Sequence, residues 1–365
     1  MHIPDGYLSP STCAVLYAAS APFWYVALQR VKAALTTRLV PLLSVMAALC
    51  FVIMMFNLPL PGGTTGHAVG VAISAIVLGP WASLLAISVA LAIQAFFFQD
   101  GGITTLGANC FNMAIVGSLV AYGVYRLGAG RAALTSPRRV LAAGLAGYAA
   151  INASALCAAV EFGIQPLYFK DAAGAPLYAP YPLRIALPAM MIGHLTFAGL
   201  AELILSAGMV GYFQRTNPAF LKATAPGACA AEEWAEGENR PNTWRILRPL
   251  WAGLAVLLVL TPLGILAAGT AWGEWSARDF SDRQARAQMT QASREVPPPA
   301  AAPRGLESLS SLWTAPFPQY APSFVRRPEL GYALSAMFGA GAVILVTLAA
   351  GGLLERARGK RHELS

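Results

Sequence analysis

Nine apolar segments, separated by short polar connections, make up most of the chain. The segments are residues 11–29, 39–58, 68–79, 80–98, 106–125, 139–163, 183–213, 249–270 and 330–354. Several hold about 20 residues almost without charge, enough to cross a hydrocarbon core of about 30 Å. The sequence Gly79-Pro80 divides one longer run into two, because proline disfavours helix in the residue before it. The pattern predicts an all-α polytopic membrane protein.

Charge in the connections predicts how the segments are oriented. Basic residues follow the first, fifth and seventh segments: Arg30, Lys32 and Arg38, then Arg126, Arg131, Arg138 and Arg139, then Arg215 and Lys222. The alternate connections 59–67, 99–105 and 164–182 carry little charge. Because Lys and Arg collect in cytoplasmic loops, we expect an external amino terminus and a cytoplasmic, basic carboxyl terminus in the cell (inner) membrane.

A polar, acidic stretch divides the chain into two membrane modules. Residues 1–215 hold seven apolar segments, residues 216–248 read as a cytoplasmic linker, and residues 249–365 form a two-helix hairpin with an extracytoplasmic loop. Within that loop, the proline-rich run 296–303 predicts an extended spacer without a packed core.

Composition narrows the class of function. Hydrophobic residues make up 56% of the chain and charged residues 12%, against about 25% charged residues in soluble domains. Cytoplasmic loops account for the net charge of +8, so no nucleic-acid partner is expected. The five cysteines, which lack CxxC spacing, read as small core residues. With no Walker, GxGxxG or HExxH motif and only four histidines, we expect a protein that is not an enzyme.

The amino terminus offers metal-binding chemistry. No Lys or Arg precedes Arg30, as a signal peptide would require, so we expect Met1 to keep a free amine. That amine, the amide nitrogen of His2 and the His2 ring place three nitrogens in one plane. His67, in a loop predicted on the same side of the membrane, is the natural fourth donor, and four planar nitrogens suit Ni(II) or Cu(II). The alternative is that Met1-His2 is simply how the chain starts.

Other polar residues leave alternatives open. Asn109 and Asn112 lie one helical turn apart, so their amides could orient the metal-binding histidines or could belong to an ordinary helix start. His194 is almost the only ionisable residue that we expect inside the spans, where it has a functional or a packing role. We expect Glu161 to reach the external surface and His362 to be solvated.

Three runs of residues resemble the CbiM/NikM family, the substrate-binding membrane components of energy-coupling-factor importers for cobalt and nickel. They are Met1–Pro10, the glycine-rich loop ending at His67, and Gly101–Met113. The resemblance covers about residues 1–215 and implies a metal held in a plane by Met1, His2 and His67. Residues 249–354 are similar to the two-span partner CbiN/NikN. The family's Pro-Asp-Gly-Leu-Glu run appears at 303–307 with Arg304 in place of the aspartate.

The resemblance implies a function and a set of partners. The chain would capture Ni(II) or Co(II) as transported cargo, in connection with cobalamin biosynthesis, without a resident cofactor. A CbiQ/NikQ-like transmembrane coupling protein and CbiO/NikO-like ATP-binding subunits would supply the energy. The alternative is a gradient-driven secondary metal transporter, which predicts buried acidic residues in the spans and an internal repeat.

Overall fold

The computed structural model describes residues 1–34, 39–224, 243–267 and 269–362, with the backbone alone for 243–246 and 356–362. The prediction of an all-α polytopic membrane protein is confirmed. The helices are α1 (Pro10–Ala33), α2 (Leu39–Met54), α3 (Val71–Leu78), α4 (Pro80–Ile93), α5 (Leu106–Asn109), α6 (Gly117–Ala129), α7 (Pro137–Tyr168), α8 (Leu183–Gly193), α9 (Gly199–Thr216), α10 (Thr243–Leu260), α11 (Arg283–Ala292), α12 (Arg304–Leu309) and α13 (Pro328–His362).

Several of these α-helices are extended or joined by π-helical turns, which are wider than an α-helix, or by 3₁₀ helices, which are tighter. π-helical turns at Gln94–Phe98, Cys110–Val116 and His194–Ala198 extend α4, join α5 to α6, and join α8 to α9. 3₁₀ helices occur at Pro218–Thr224, Thr261–Ile265, Ala277–Phe280 and Pro318–Tyr320. The predicted linker, residues 216–248, lies largely outside the described residues.

Within the described part of the chain, seven helical segments are long and apolar enough to cross a membrane. They are Pro10–Ala33, Pro80–Phe98, Leu106–Ala129, Pro137–Tyr168, Leu183–Thr216, Leu247–Ile265 and Pro328–Glu355. Two further apolar segments form shorter helices, α2 with 16 residues and α3 with eight. At 1.5 Å per residue, α3 rises only about 12 Å. This is too short to cross the hydrocarbon core, so residues 64–70 before it must fill part of the membrane thickness.

Those residues belong to a small β-hairpin. The strands β1 (Leu58–Leu60) and β2 (Thr64–Gly66) pair antiparallel, with Leu60 opposite Thr64. Pro61, Gly62 and Gly63 form the connection between them. Irregular backbone within a membrane protein is tolerated where the protein itself buries it, and β2 is buried throughout.

The second module packs directly on the first. Helices α10 and α13 both contact α2, which explains why 14 of the 16 residues of α2 are buried. Two polar contacts fix the arrangement: the Tyr332 hydroxyl donates to the Met55 carbonyl (2.6 Å) and the Thr347 hydroxyl to Ser44 Oγ (2.7 Å). The hairpin is therefore part of the same helical body as α2.

The proline-rich run does not form the expected spacer. Arg286 on α11 donates to the carbonyl oxygens of Pro298 (3.3 Å) and Pro299 (2.6 Å), which folds the run back against that helix. Pro298 and Pro303 are buried. The expectation was wrong because a guanidinium with several donors satisfies carbonyls that proline-rich backbone leaves free.

Candidate metal centre

Eight of the first nine residues are buried, all but the half-buried Pro4, although they form no helix or strand. Met1 is 4% exposed, His2 1% and Ile3 0%. Backbone in such a place must find hydrogen-bond partners elsewhere in the fold. Asn109 provides two of them, because its Oδ1 accepts from the Ile3 amide (2.8 Å) and its Nδ2 donates to the Ile3 carbonyl (3.1 Å). Asn109 thus fixes the backbone directly after His2.

A second anchor is Asp5. Its carboxylate accepts hydrogen bonds from the backbone amides of Ile103 (3.1 Å) and Thr104 (2.7 Å) and from the Thr104 hydroxyl. Gly102 is needed for this close approach, because a Cβ there would lie 2.3 Å from Asp5 Oδ1 and 2.4 Å from the Asp5 nitrogen. The connection 99–105 therefore forms a cradle for the amino-terminal segment.

His67 follows strand β2 and lies beside His2. Their ring centroids are 5.0 Å apart, with the ring planes nearly perpendicular at 83°. Nδ1 of His67 donates to the Ala68 carbonyl (3.0 Å), since a carbonyl can only accept. That bond leaves Nε2 with a free lone pair. Burial, together with the nearby His2, lowers the pKa of His67 to about 3, so its ring is neutral at physiological pH.

His2 faces a carboxylate. Its Nδ1 lies 2.8 Å from Asp100 Oδ1 without the alignment of a hydrogen bond, and its Nε2 is buried with no partner among the described residues. Burial lowers the pKa of His2, but its close approach to the Asp100 carboxylate and the nearby charge of Glu274 together outweigh burial and raise the pKa above 6.5. Conversely, His2 holds the pKa of Asp100 well below its usual range, although burial of that carboxyl opposes the shift.

The second module completes the walls of this centre. Glu274 Oε1 lies 3.2 Å from the amine of Met1, and the Tyr320 hydroxyl donates to Asp100 Oδ2 (2.6 Å). Gln94 in turn donates to the Tyr320 hydroxyl (3.1 Å). Sequence reasoning missed Asp100, Glu274 and Tyr320 as parts of the site. The one available signal was that Asp100 is the single charge in the connection 99–105.

The module also packs on the amino-terminal segment through the 303–307 run. The Gly305 amide donates to the Leu177 carbonyl (2.7 Å), and the buried Leu306 lies against Gly6. Nearby, the Tyr7 hydroxyl donates to the Trp275 carbonyl (2.7 Å). Arg304, the residue that departs from the family's run, is exposed, so the departure does not alter this contact.

A metal ion at this centre needs donors from the main chain. Among the described side chains, those of residues 1–34, 39–224, 247–267 and 269–355, no group of three or more His, Cys, Asp and Glu is arranged to hold a metal. The structure does bring Met1, His2 and His67 into one buried pocket. The amine and the His2 amide nitrogen can supply what the side chains lack, and two imidazoles complete a set of nitrogen donors.

Other candidate residues lie elsewhere. Asn112 does not reach the centre; its Nδ2 donates to Glu161 Oε2 (2.8 Å). The reason is the π-helical turn over Cys110–Val116, in which more residues make up each turn, so that residues three apart no longer share a face. His194 bonds the Met190 carbonyl through Nδ1 (2.8 Å), which satisfies it within the helix. The side chain of His362 and all of Cys229 lie outside the described residues.

Two buried carboxylates in the spans correct the sequence reading. Glu161 is 7% exposed and hydrogen-bonded to Asn112, so it does not reach the external surface as expected. Glu202, on α9, is fully buried and accepts hydrogen bonds from the backbone amides of Val69 (2.7 Å) and Gly70 (3.0 Å). The expectation that the spans contain almost no ionisable residue except His194 was wrong. Buried acids in an apolar run find polar partners that only the fold reveals.

Comparison with known proteins gives matches over both modules. Residues 2–220 match the family model of the CbiM cobalt uptake substrate-specific transmembrane region, and residues 248–356 match the PDGLE domain. The fused nickel transport protein NikMN of Rhodobacter capsulatus is 58% identical over 94% of this chain and 95% of its own length. The probable fused nickel transport protein LarMN of Lactiplantibacillus plantarum is 43% identical over 80% of this chain and 82% of its own.

Two solved structures are similar to this chain over somewhat more than half of its length. A crystal structure of a transition metal transporter, 49% identical, superposes with a TM-score of 0.56 over 59% of this chain and 93% of that chain. A truncated transition metal transporter gives a TM-score of 0.55 at 49% identity, over 58% of this chain and 97% of that chain.

Proposed function

Because the chain belongs to the CbiM cobalt uptake family and carries a PDGLE domain in its second module, we propose that it captures Ni(II) or Co(II) as the metal-binding subunit of an ATP-driven importer. It is a multi-pass membrane protein, and its relatives are named as nickel or cobalt transport proteins. Its part is therefore transport rather than catalysis, within a transporter of several subunits.

One observation carries the proposal: Met1, His2 and His67 meet in one buried pocket although 65 residues separate the two histidines. The donors would be the amine of Met1, the amide nitrogen and Nδ1 of His2, and Nε2 of His67. His67 is poised for this role, since its Nδ1 is already bound and its low pKa keeps Nε2 unprotonated. No proton has to leave His67 when metal arrives.

Loading at the other donors requires an exchange of partners. The amine lies beside Glu274 and Nδ1 of His2 beside Asp100, so the metal takes the place of protons that these carboxylates accompany. Both carboxylates remain close and offset the charge of the divalent ion. A planar nitrogen set favours Ni(II) over Co(II) by the Irving–Williams order, while copper would be excluded by availability or by the shape of the site.

Entry and release follow from the predicted orientation. The pocket would open to the extracytoplasmic side, with the carboxyl terminus in the cytoplasm. A CbiQ/NikQ-like coupling protein and CbiO/NikO-like ATP-binding subunits would drive reorientation of this chain in the bilayer. Chelation by four nitrogens is tight, so release needs one donor to leave, and separating the His67 loop from the amino terminus would achieve it.

The proposal is tested by counting Ni(II) and Co(II) bound per purified full-length chain. The variants are His67→Ala and a chain with three residues added before Met1. A one-residue extension is unsuitable because it would place His2 third and create a new four-nitrogen chelator. His194→Ala is the matched control, since His194 is also a buried histidine but lies outside the pocket.

We expect both test variants to lose stoichiometric binding and the control to keep it. We also expect the visible absorption band of planar four-nitrogen Ni(II) only in the native chain and the control. Normal binding by both the extended chain and His67→Ala would mean that the site lies elsewhere.

The gradient-driven alternative gains one observation, because Glu161 and Glu202 are buried acids in the spans. Both are already committed to hydrogen bonds, Glu161 with a side chain and Glu202 with backbone amides. Purification from the native membrane separates the two mechanisms. Co-purified ATP-binding subunits with ATP-dependent uptake would support the importer, and uptake that needs only an ion gradient would support the alternative.

A further inference from the structure

The buried carboxylate of Glu202 binds the backbone just after His67. A single oxygen, Oε2, accepts from the amides of Val69 (2.7 Å) and Gly70 (3.0 Å), 133 and 132 residues away in sequence. The amides of Val71 and Ala72 lie near the same carboxylate. Glu202 therefore sits at the amino-terminal end of helix α3, where free amides and the helix dipole attract an anion.

Helix α3 cannot supply this cap itself. Its N-cap residue is Gly70, which has no side chain and a left-handed backbone with φ of 73°. A Cβ at Gly70 would lie 2.8 Å from Ile53 Cδ1, so a capping serine or aspartate does not fit. The first amides of a fully buried helix would otherwise stay unpaired at a cost of about 1–3 kcal/mol each. Glu202 meets this need from a distant helix.

The same contact fixes the geometry of His67. Val69 is two residues after His67, and the carbonyl that orients the His67 ring belongs to Ala68, between them. We propose that Glu202 is the positioning residue for His67: by holding residues 69 and 70, it sets the direction in which Nε2 points. This inference rests on the proposed function, in which Nε2 is the fourth metal donor.

The helix that carries Glu202 also leads to a second contact with α3. From Glu202, helix α9 continues to Thr216 over about 21 Å at 1.5 Å per residue, and it leads into the 3₁₀ helix Pro218–Thr224, which contacts α3. Buried Arg139 holds that helix through the Thr224 carbonyl (3.2 Å). The continuous segment from Glu202 to Thr224 thus binds the amino-terminal end of α3 and contacts α3 again through Pro218–Thr224.

The test measures Ni(II) affinity and the planar Ni(II) absorption band on the full-length chain. The variants are Glu202→Met, which keeps the size but removes the acceptor, and Glu202→Gln, whose amide oxygen can still accept. Ser206→Ala is the matched control, because Ser206 is also fully buried on α9 and its hydroxyl has no partner among the described residues. Each variant is made in the native and in the His67→Ala background, and thermal unfolding is recorded for all.

We expect Glu202→Met to weaken Ni(II) binding by about tenfold or more and to shift its spectrum toward that of His67→Ala. Glu202→Gln should weaken binding by about threefold, because the amide retains an acceptor but loses the charge. The control should match the native chain. In the His67→Ala background, only the weak binding by the three remaining donors is left, and neither Glu202 variant should weaken it further, since the effects of residues that act through one another are not additive.

Equal losses in both backgrounds would overturn the inference, because they would show a general effect on folding. Native affinity and a native spectrum in Glu202→Gln would also overturn the inference. This result can be obtained even if Glu202→Met fails to fold. If His67→Ala alone binds normally, the proposed site is wrong instead, and the two failures remain distinct.

Discussion

The first nine residues and the helix that follows them are built on opposite principles. Helix α1 satisfies its own backbone and buries few residues: Cys13, Ser20, Ala27 and Val31. The segment before it has no regular structure, yet nearly every residue is buried. Its backbone bonds go to Asn109, Gly102, Gln165 and Ala179, all far away in sequence.

This difference shows what fixes the positions of the helices and what fixes the positions of the amino-terminal donor atoms. A membrane helix keeps its shape wherever it lies, because each amide bonds to a carbonyl four residues away. The amino-terminal donors have no such internal support. Their positions depend on partners from the connection 99–105, from α5 and α7, and from the loop of the second module. The proposed metal centre should therefore be far more sensitive to small changes in those partners than the helices are.

The largest effect should come from Gly102→Ala. The new Cβ would lie well inside van der Waals contact with Asp5 Oδ1 and the Asp5 nitrogen, so the amino-terminal segment must move. Overpacking of this kind costs about 3 kcal/mol or more, which corresponds to at least about a 100-fold loss of Ni(II) affinity. Gly123→Ala on α6 is the control, because no atom lies within 4 Å of its Cβ position. Titration calorimetry measures the Ni(II) affinity of both variants. Equal affinities would contradict the role of Gly102 in the cradle formed by residues 99–105.

An intermediate effect should separate two asparagines that the sequence could not tell apart. Asn109→Ala removes both hydrogen bonds to Ile3 and should weaken Ni(II) binding by about 10- to 100-fold. Asn112→Ala removes only the contact with Glu161, so it should lower thermal stability without changing Ni(II) affinity. Equilibrium dialysis and thermal unfolding on both chains provide the comparison. A larger loss of affinity in Asn112→Ala would reverse our assignment.

The smallest effect concerns pH. Against the effect of burial, Asp100 and Glu274 raise the pKa of His2 above 6.5, which favours the protonated ring when metal is absent, so Ni(II) affinity should increase as pH rises from about 6.5 toward 8. Asp100→Asn removes the Asp100 charge and lowers the pKa of His2. The slope of log Kd against pH in this window should then become shallower. His67, with a pKa of about 3, contributes nothing to the slope. Unchanged slopes would show that Asp100 does not govern the protonation of His2.

Much of the architecture could be read from the sequence. The apolar segments predicted the membrane helices, because length and hydrophobicity are properties of a contiguous stretch. The exception was the segment 68–79, of which only Val71–Leu78 is helical, since hydrophobicity does not distinguish a short buried helix from a span. Met1, His2 and His67 could also be selected from the sequence, because donor chemistry and loop charge are local.

Only the tertiary structure decided how those residues are held. In the structure Asn109 bonds Ile3 and Asn112 bonds Glu161, because a π-helical turn follows Asn109. The spacing of apolar residues in the sequence did not predict that turn. The tertiary structure also brought Glu274 to the amine of Met1 across 273 residues and Glu202 to the backbone beside His67 across more than 130. A local pattern records what a residue can bind. Which partner it meets depends on long-range packing, where a shift of an ångström or two makes or breaks a hydrogen bond.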